Sequence, residues 1–235
     1  MDHALFAHID LYCERQGPEF WAEPVNALTN LAFIAAGIWG LYLVRRYRTG
    51  KAAAVMCWWA MSIGVGSMLF HTFANVLTIW ADIVPIATFT LAATLFALRR
   101  FARLAWGPAI GLFILFYAVA GAITLALPAS VHAATNGTSG YLPAFLAVNA
   151  VGALCLVRGS PAGRYLIAAS LIFMLAAAGR MLDLWACQYT AIGTHFLWHT
   201  FNGLMLGVVL TAIARYGAPV HETQGPPARL APATP

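Results

Sequence analysis

The sequence predicts an all-α protein, a seven-transmembrane-helix bundle with its N-terminus outside and its C-terminus cytoplasmic, and three observations carry that prediction. The chain of 235 residues is 61% hydrophobic and only 9% charged, with a mean hydropathy of +0.76, whereas soluble chains carry about 25% charged residues. Its apolar residues fall into seven runs of the length that crosses a ~30 Å hydrocarbon core at about 1.5 Å per residue. Eleven of its thirteen basic residues lie in alternate connections or in the tail. Eight acidic and thirteen basic side chains are too few to clothe a soluble surface, so lipid must cover most of the exterior. The net charge of +5 does not point to nucleic acid. The basic residues sit in short clusters between apolar runs, not in a stripe interleaved with aromatics.

The elements follow in order. Residues 1–23 form an extramembrane segment; MDHALFAHID has no basic stretch and the first apolar run is of full length, so no cleavable signal peptide is expected. The spans are predicted over Pro24 to Val44, Ala52 to Phe73, Val76 to Leu98, Trp106 to Leu127, Tyr141 to Val157, Tyr165 to Ala186 and Gly193 to Ala214. Residues 24–214 are thus one transmembrane domain of helices, because continuous runs satisfy their own backbone in lipid and lack the alternation of a barrel strand. Arg45, Arg46, Arg48 and Lys51 lie in the first connection, Arg99, Arg100 and Arg103 in the third, Arg158 and Arg164 in the fifth, and Arg215 and Arg229 in the tail. That set is predicted cytoplasmic. The tail, 215–235, ends in HETQGPPARLAPATP and is expected to be disordered. Trp21, Trp80, Trp106 and Trp185 lie near span ends, where an interfacial aromatic belt needs no chemistry to explain it.

Polar and ionisable residues within spans are costly, and here they cluster. Ser67 and His71 fall near the end of the second span, Asp82 about two turns into the third, and His195 and His199 in the first two turns of the seventh. The second and third spans form a hairpin about Ala74 and Asn75, which sets Ser67 and Asp82 at nearly one height. The i,i+4 pairs Ser67/His71 and His195/His199 each share a helix face. If the three spans are neighbours, three imidazoles, a carboxylate and a hydroxyl converge near the outer face. Three neutral imidazoles leave one position open on tetrahedral zinc. Asp82 is then the natural base, and Ser67 a donor to the water or to a developing oxyanion. The blander reading is an interhelical hydrogen-bonding His pair beside an ordinary small serine. His3, His8, His132 and His221 fall outside the spans and read as solvated.

Three further features stay open at this level. Asp10, Glu14, Glu19 and Glu23 are four of the eight acidic residues, and hard oxygen ligands in a short loop suit calcium, although a solvated acidic segment explains them equally. Cys13 and Cys187 both fall on the outer side, where an oxidising compartment permits them to pair. Arg180 and Asp183 are one turn apart and read most simply as an i,i+3 ion pair facing the bundle.

Three motifs resemble the alkaline ceramidases, within a wider superfamily of seven-helix membrane hydrolases that includes adiponectin-receptor-like proteins. They are YCE with the later AEPVNALTN, GVGSMLFH with Asp82 eleven residues beyond the His, and HFLWH followed by NGL. The resemblance runs over most of Asp10 to Gly203. It implies zinc on His71, His195 and His199, with Ser67 and Asp82 as the serine and aspartate around the metal's water. It also implies calcium held by the N-terminal segment, with Asp10, Tyr12, Glu14, Gln16 and Glu23 as the corresponding residues and Glu19 as a substitute ligand. The family's leading Asp directly precedes its aromatic, whereas Leu11 separates Asp10 from Tyr12. The resemblance further implies a Cys13 to Cys187 disulfide and hydrolysis of the linear amide of ceramide to a long-chain base and a fatty acid.

The rivals are a related lipid amide or ester hydrolase and a metal or proton transporter; the inner halves of the helices lack the polar trail that transport needs. A retinal protein is excluded because the only lysine, Lys51, lies in a connection. The expected protein is an integral multi-pass membrane hydrolase of the bacterial inner membrane, or of the endoplasmic reticulum or Golgi in a eukaryote. Its site lies near the extracytoplasmic face. The short connection at Ala74 and Asn75 leaves little chain to cover that site, so the lipid is expected to enter from the outer leaflet.

Overall fold

A computed structural model describes residues 2–219; the expected disordered tail, with His221, lies largely outside the described residues. Among the described residues, seven helices are long and apolar enough to cross a membrane: α1 (Pro24–Tyr47), α2 (Lys51–Phe73), α3 (Val76–Arg100), α4 (Trp106–Leu125), α5 (Thr138–Val157), α6 (Ala162–Ala186) and α7 (His195–Tyr216). Short helical turns at Asp2–Leu5 and Ala129–Ala134 lie outside them. Each expected span is found within about three residues of its sequence bounds. α5 opens as a 3-10 turn over Thr138–Tyr141, and α1 is interrupted at Asn30, where Thr29 Oγ1 donates to the Val25 carbonyl and Asn30 Nδ2 to the Asn26 carbonyl. Such side-chain bonds to the preceding turn compete with the helix ladder.

The helices form a ring in the order α1, α2, α3, α5, α6, α7, closed by the α7–α1 contact, with α4 outside it against α3 and α5. The apolar core fills the half of the ring near the arginine-bearing connections, around Cys57, Leu98, Leu210 and Ile213. Large hydrophobics such as Trp39, Trp58, Ile114 and Leu115 face outward, as a lipid-covered exterior requires.

Two turns position the site. At the α2–α3 hairpin, Asn75 Oδ1 accepts from Thr78 N at 3.0 Å and Asn75 N donates to Thr78 Oγ1 at 3.1 Å, a capping box that starts α3 sharply. Farther along, Pro85 lies inside α3, so the Ala81 carbonyl loses its helical donor. A Cβ on Gly66 of α2 would run into that same carbonyl. The glycine therefore lets the two backbones close up beside Ser67 and Asp82.

The second turn precedes α7. Asp183, fully buried in α6, accepts from Thr194 N at 2.7 Å, His195 N at 2.8 Å and Cys13 N at 2.9 Å. It satisfies amides that would otherwise be orphaned at the start of α7. Gly193 adopts φ +59, and a Cβ there would meet Asp183 and Cys13, so glycine is required twice over. The expected Arg180–Asp183 ion pair is not made: Asp183 is spent on three backbone amides, and Arg180 turns to aromatic rings instead.

The N-terminal segment folds back over the site. Ile9 N donates to the Ala74 carbonyl at 2.8 Å and His8 bridges to Asn75, while a Cys13–Cys187 disulfide, with Cα atoms 5.5 Å apart, ties it to the end of α6. The hairpin is short, as expected, but the mouth is not bare; residues 7–23 cover it. His132, expected to be solvated, is half-buried and bonded to Ser139 Oγ at 2.7 Å.

Candidate active site

Beneath that cover, the ends of α2 and α7 bring His71, His195 and His199 together. Each is about 1% exposed, and one nitrogen from each lies within 4.8 Å of the others. Their ring centroids are 4.6 to 5.2 Å apart. Among the described residues this is the only group of three or more His, Cys, Asp or Glu side chains close enough to share an ion.

Neighbours fix the tautomers of two of the rings. His71 Nδ1 lies 2.6 Å from Glu23 Oε2, and a carboxylate only accepts, so Nδ1 carries a proton and, in the neutral ring, Nε2 offers its lone pair. His199 Nδ1 lies 3.0 Å from Thr29 Oγ1. The hydroxyl hydrogen is already committed to the backbone carbonyls of Val25 and Asn26, so this ring is again the donor. Oriented imidazoles with one free lone pair are what a zinc ligand set needs. The third ring stacks on Tyr12, with centroids 3.6 Å apart and planes 12° apart, and its buried Nδ1 has no hydrogen-bond partner. Three converging nitrogens, two with assigned acceptors behind their rings, fit a tetrahedral ion with one position left over.

Asp82 projects from α3 beside Ser67 of α2. Its Oδ1 is buried and unpartnered, while Ser67 is 3% exposed. The sequence-derived set of Ser67, His71, Asp82, His195 and His199 is thus gathered at one end of the bundle, opposite the arginine-rich connections. Arg180 Nη1 donates to the Tyr12 hydroxyl, and its guanidinium lies 5.2 Å from the Tyr12 ring, 5.7 Å from Tyr141 and 5.5 Å from Trp198. Burial pushes the Tyr12 phenol above its ordinary range despite the opposing charge of Arg180, so the ring meets His195 as a neutral aromatic.

Below the imidazoles an apolar cavity runs between α1, α2, α3, α5, α6 and α7. Its walls include Tyr141, Phe173 and Trp198 near the site and Phe89, Leu206 and Ile213 deeper in the bundle. Its lining carries few polar groups, as befits hydrocarbon.

The N-terminal residues expected to hold calcium take other partners. Calcium takes about six to eight oxygens, yet Asp10, Gln16 and Glu19 are exposed, and Gln16 Nε2 donates to the Cys13 carbonyl. The Tyr12 carbonyl accepts from Arg15 N. Glu14 accepts from Val25 N at 2.7 Å and Asn26 N at 2.8 Å, capping α1; burial pushes its carboxyl up from the ordinary value against those bonds. Glu23 is bound by Arg15, His71 and Asn26. These residues do not fit a calcium ion.

Sequence reasoning did not assign Glu23 to His71, Thr29 to His199, or any role to Arg15. A signal existed: Glu23, Asn26 and Asn30 recur at i, i+3 and i+7 in an otherwise apolar run, which marks one polar helix face turned to the interior.

The chain matches the family model described as Ceramidase over residues 7–226. No curated protein matches it.

Proposed function

We propose, from the premise that this chain belongs to the ceramidase family, that it is a zinc-dependent intramembrane amidohydrolase acting on a ceramide-like lipid to give a long-chain base and a fatty acid. Family membership makes it a ceramide-hydrolysing membrane enzyme; the metal, the residue roles and the orientation are our reading. The observation that carries it is the convergence of three buried imidazoles with the Asp82 carboxylate, one oxygen of which is unpartnered, at the head of an apolar cavity.

His71, His195 and His199 would hold the zinc, which when bound supplies a water of lowered pKa and a Lewis acid for a carbonyl. Asp82 accepts a proton as water adds to the amide carbon, and returns it to the nitrogen as the C–N bond breaks. Ser67 donates to the oxygen on which negative charge develops. The apolar cavity between Trp198 and Ile213 takes a hydrocarbon chain, so the amide is held at the depth of the imidazoles. Tyr12 and the rest of the N-terminal segment exclude bulk water from above. With the arginine-bearing connections cytoplasmic, the site lies on the extracytoplasmic side and the substrate arrives from the outer leaflet.

The test is mass spectrometry of products after the purified protein is incubated with defined ceramides, together with elemental analysis of the same sample. Release of long-chain base and fatty acid by protein containing about one zinc per chain is expected. A zinc-loaded protein that leaves ceramides intact but cleaves another lipid amide or ester would move the substrate assignment.

A further inference from the structure

The buried cation of the N-terminal segment is a side chain. Arg15 is 3% exposed overall, with a fully buried side chain. Its Nε donates to Glu23 Oε1 at 2.6 Å, Nη1 to the carbonyls of Gly17 at 3.0 Å and Glu19 at 3.3 Å, and Nη2 to the carbonyl of His71 at 3.0 Å. A carboxylate and three backbone carbonyls pointing inward make the kind of oxygen cage that hard cations occupy. Here the cage encloses a guanidinium. The neighbouring carboxylate, Glu14, is already matched by the amides at the start of α1, where the helix end favours negative charge. Neither buried carboxylate of the segment is left uncompensated to draw a dication, and one placed beside Arg15 would be repelled.

We infer that Arg15 is a resident cation that takes the place of calcium in this chain, closing residues 13–23 over the site permanently and holding Glu23 in position behind His71. One oxygen of Glu23 is neutralised by Arg15 while the other orients the His71 ring. The same guanidinium also grips the His71 backbone. Arg15 is therefore a positioning residue, acting on a metal ligand through Glu23. A guanidinium suits that task because its planar fork is always charged and cannot dissociate from the chain.

This inference goes beyond the lipid-hydrolysis reading, and its test uses no substrate, so the two can fail separately. The full chain in detergent, stripped with EGTA, is melted across a calcium series and assayed for bound calcium after gel filtration. The expected result is an unchanged melting temperature and no stoichiometric calcium. A melting temperature that climbs with the logarithm of calcium concentration, or about one calcium per chain, would overturn the inference even if no variant folds. Arg15→Ala should melt several degrees lower, bind zinc more weakly, and recover when methylguanidinium or calcium is added, neither of which should move the parent. A variant that melts like the parent, or that neither cation restores, would show that the cage is not a cation site.

Discussion

At the centre of the site, what distinguishes a ligand from an ordinary buried histidine is the group behind it. Glu23 and Thr29 each accept from an Nδ1 and so present the opposite nitrogen to the shared point. His71→Ala, His195→Ala and His199→Ala are each expected to lose zinc by elemental analysis, and retention of one ion per chain in all three would exclude the centre. Asp82→Asn preserves shape and keeps the metal but cannot take a proton. Its turnover should fall by about 10²- to 10⁴-fold, and near-normal hydrolysis by that variant would reject Asp82 as the base. Ser67→Ala removes one donor, with an expected loss of up to about 10²-fold and unchanged zinc content.

Two helix junctions then hold these groups at one depth. Gly66 permits α2 to touch the Ala81 carbonyl that Pro85 leaves free. A methyl group there forces the helices apart, at a typical overpacking cost of about 1–3 kcal/mol. Gly66→Ala should therefore lower the melting temperature and reduce turnover more than zinc content, because it separates Ser67 and Asp82 while the α2–α7 imidazoles stay together. Equal turnover in parent and variant would mean that the α2–α3 spacing does not matter. At the start of α7, Asp183→Ala would strand two buried N–H groups, each worth about 1–3 kcal/mol, and a half-buried third. The expected outcome is a lower melting temperature together with weaker zinc retention, since His195 is among the groups released; intact zinc binding would separate the cap from the metal.

Across the whole molecule, the site occupies the end of the bundle away from the arginine clusters, under a cover made of the N-terminal segment and tied down by the Cys13–Cys187 disulfide. Under the proposed orientation, with the arginine-bearing connections cytoplasmic, that end is extracytoplasmic. Cysteine introduced at exposed Ala134 should react with an impermeant maleimide in sealed right-side-out vesicles, whereas one at exposed Lys51 should not. The free parental thiols, Cys57 and Cys155, are buried and should stay silent. The opposite labelling pattern would invert the orientation and the route of lipid entry while leaving the metal site as it is.

The number of spans, their bounds and the depth of the five central polar residues were legible in the amino-acid sequence. Those features depend on run length, helical periodicity and the cost of polar groups in hydrocarbon, all of which are local or additive along the chain. Asp82 and Ser67 could be matched in height because one short turn joins their helices. The partners of the buried charges were not legible in the same way. Arg180 and Asp183 have the spacing of an ion pair, yet each finds partners on other elements, Tyr12, Tyr141 and Trp198 for one and the amides before α7 for the other. Arg15 and Glu23 sit in what reads as an acidic loop and become a buried pair behind His71, a proposed zinc ligand. Only the folded chain decides such pairings, because a desolvated charge is satisfied by whichever groups three-dimensional packing brings within about 3 Å, and sequence separation places no limit on which groups those are.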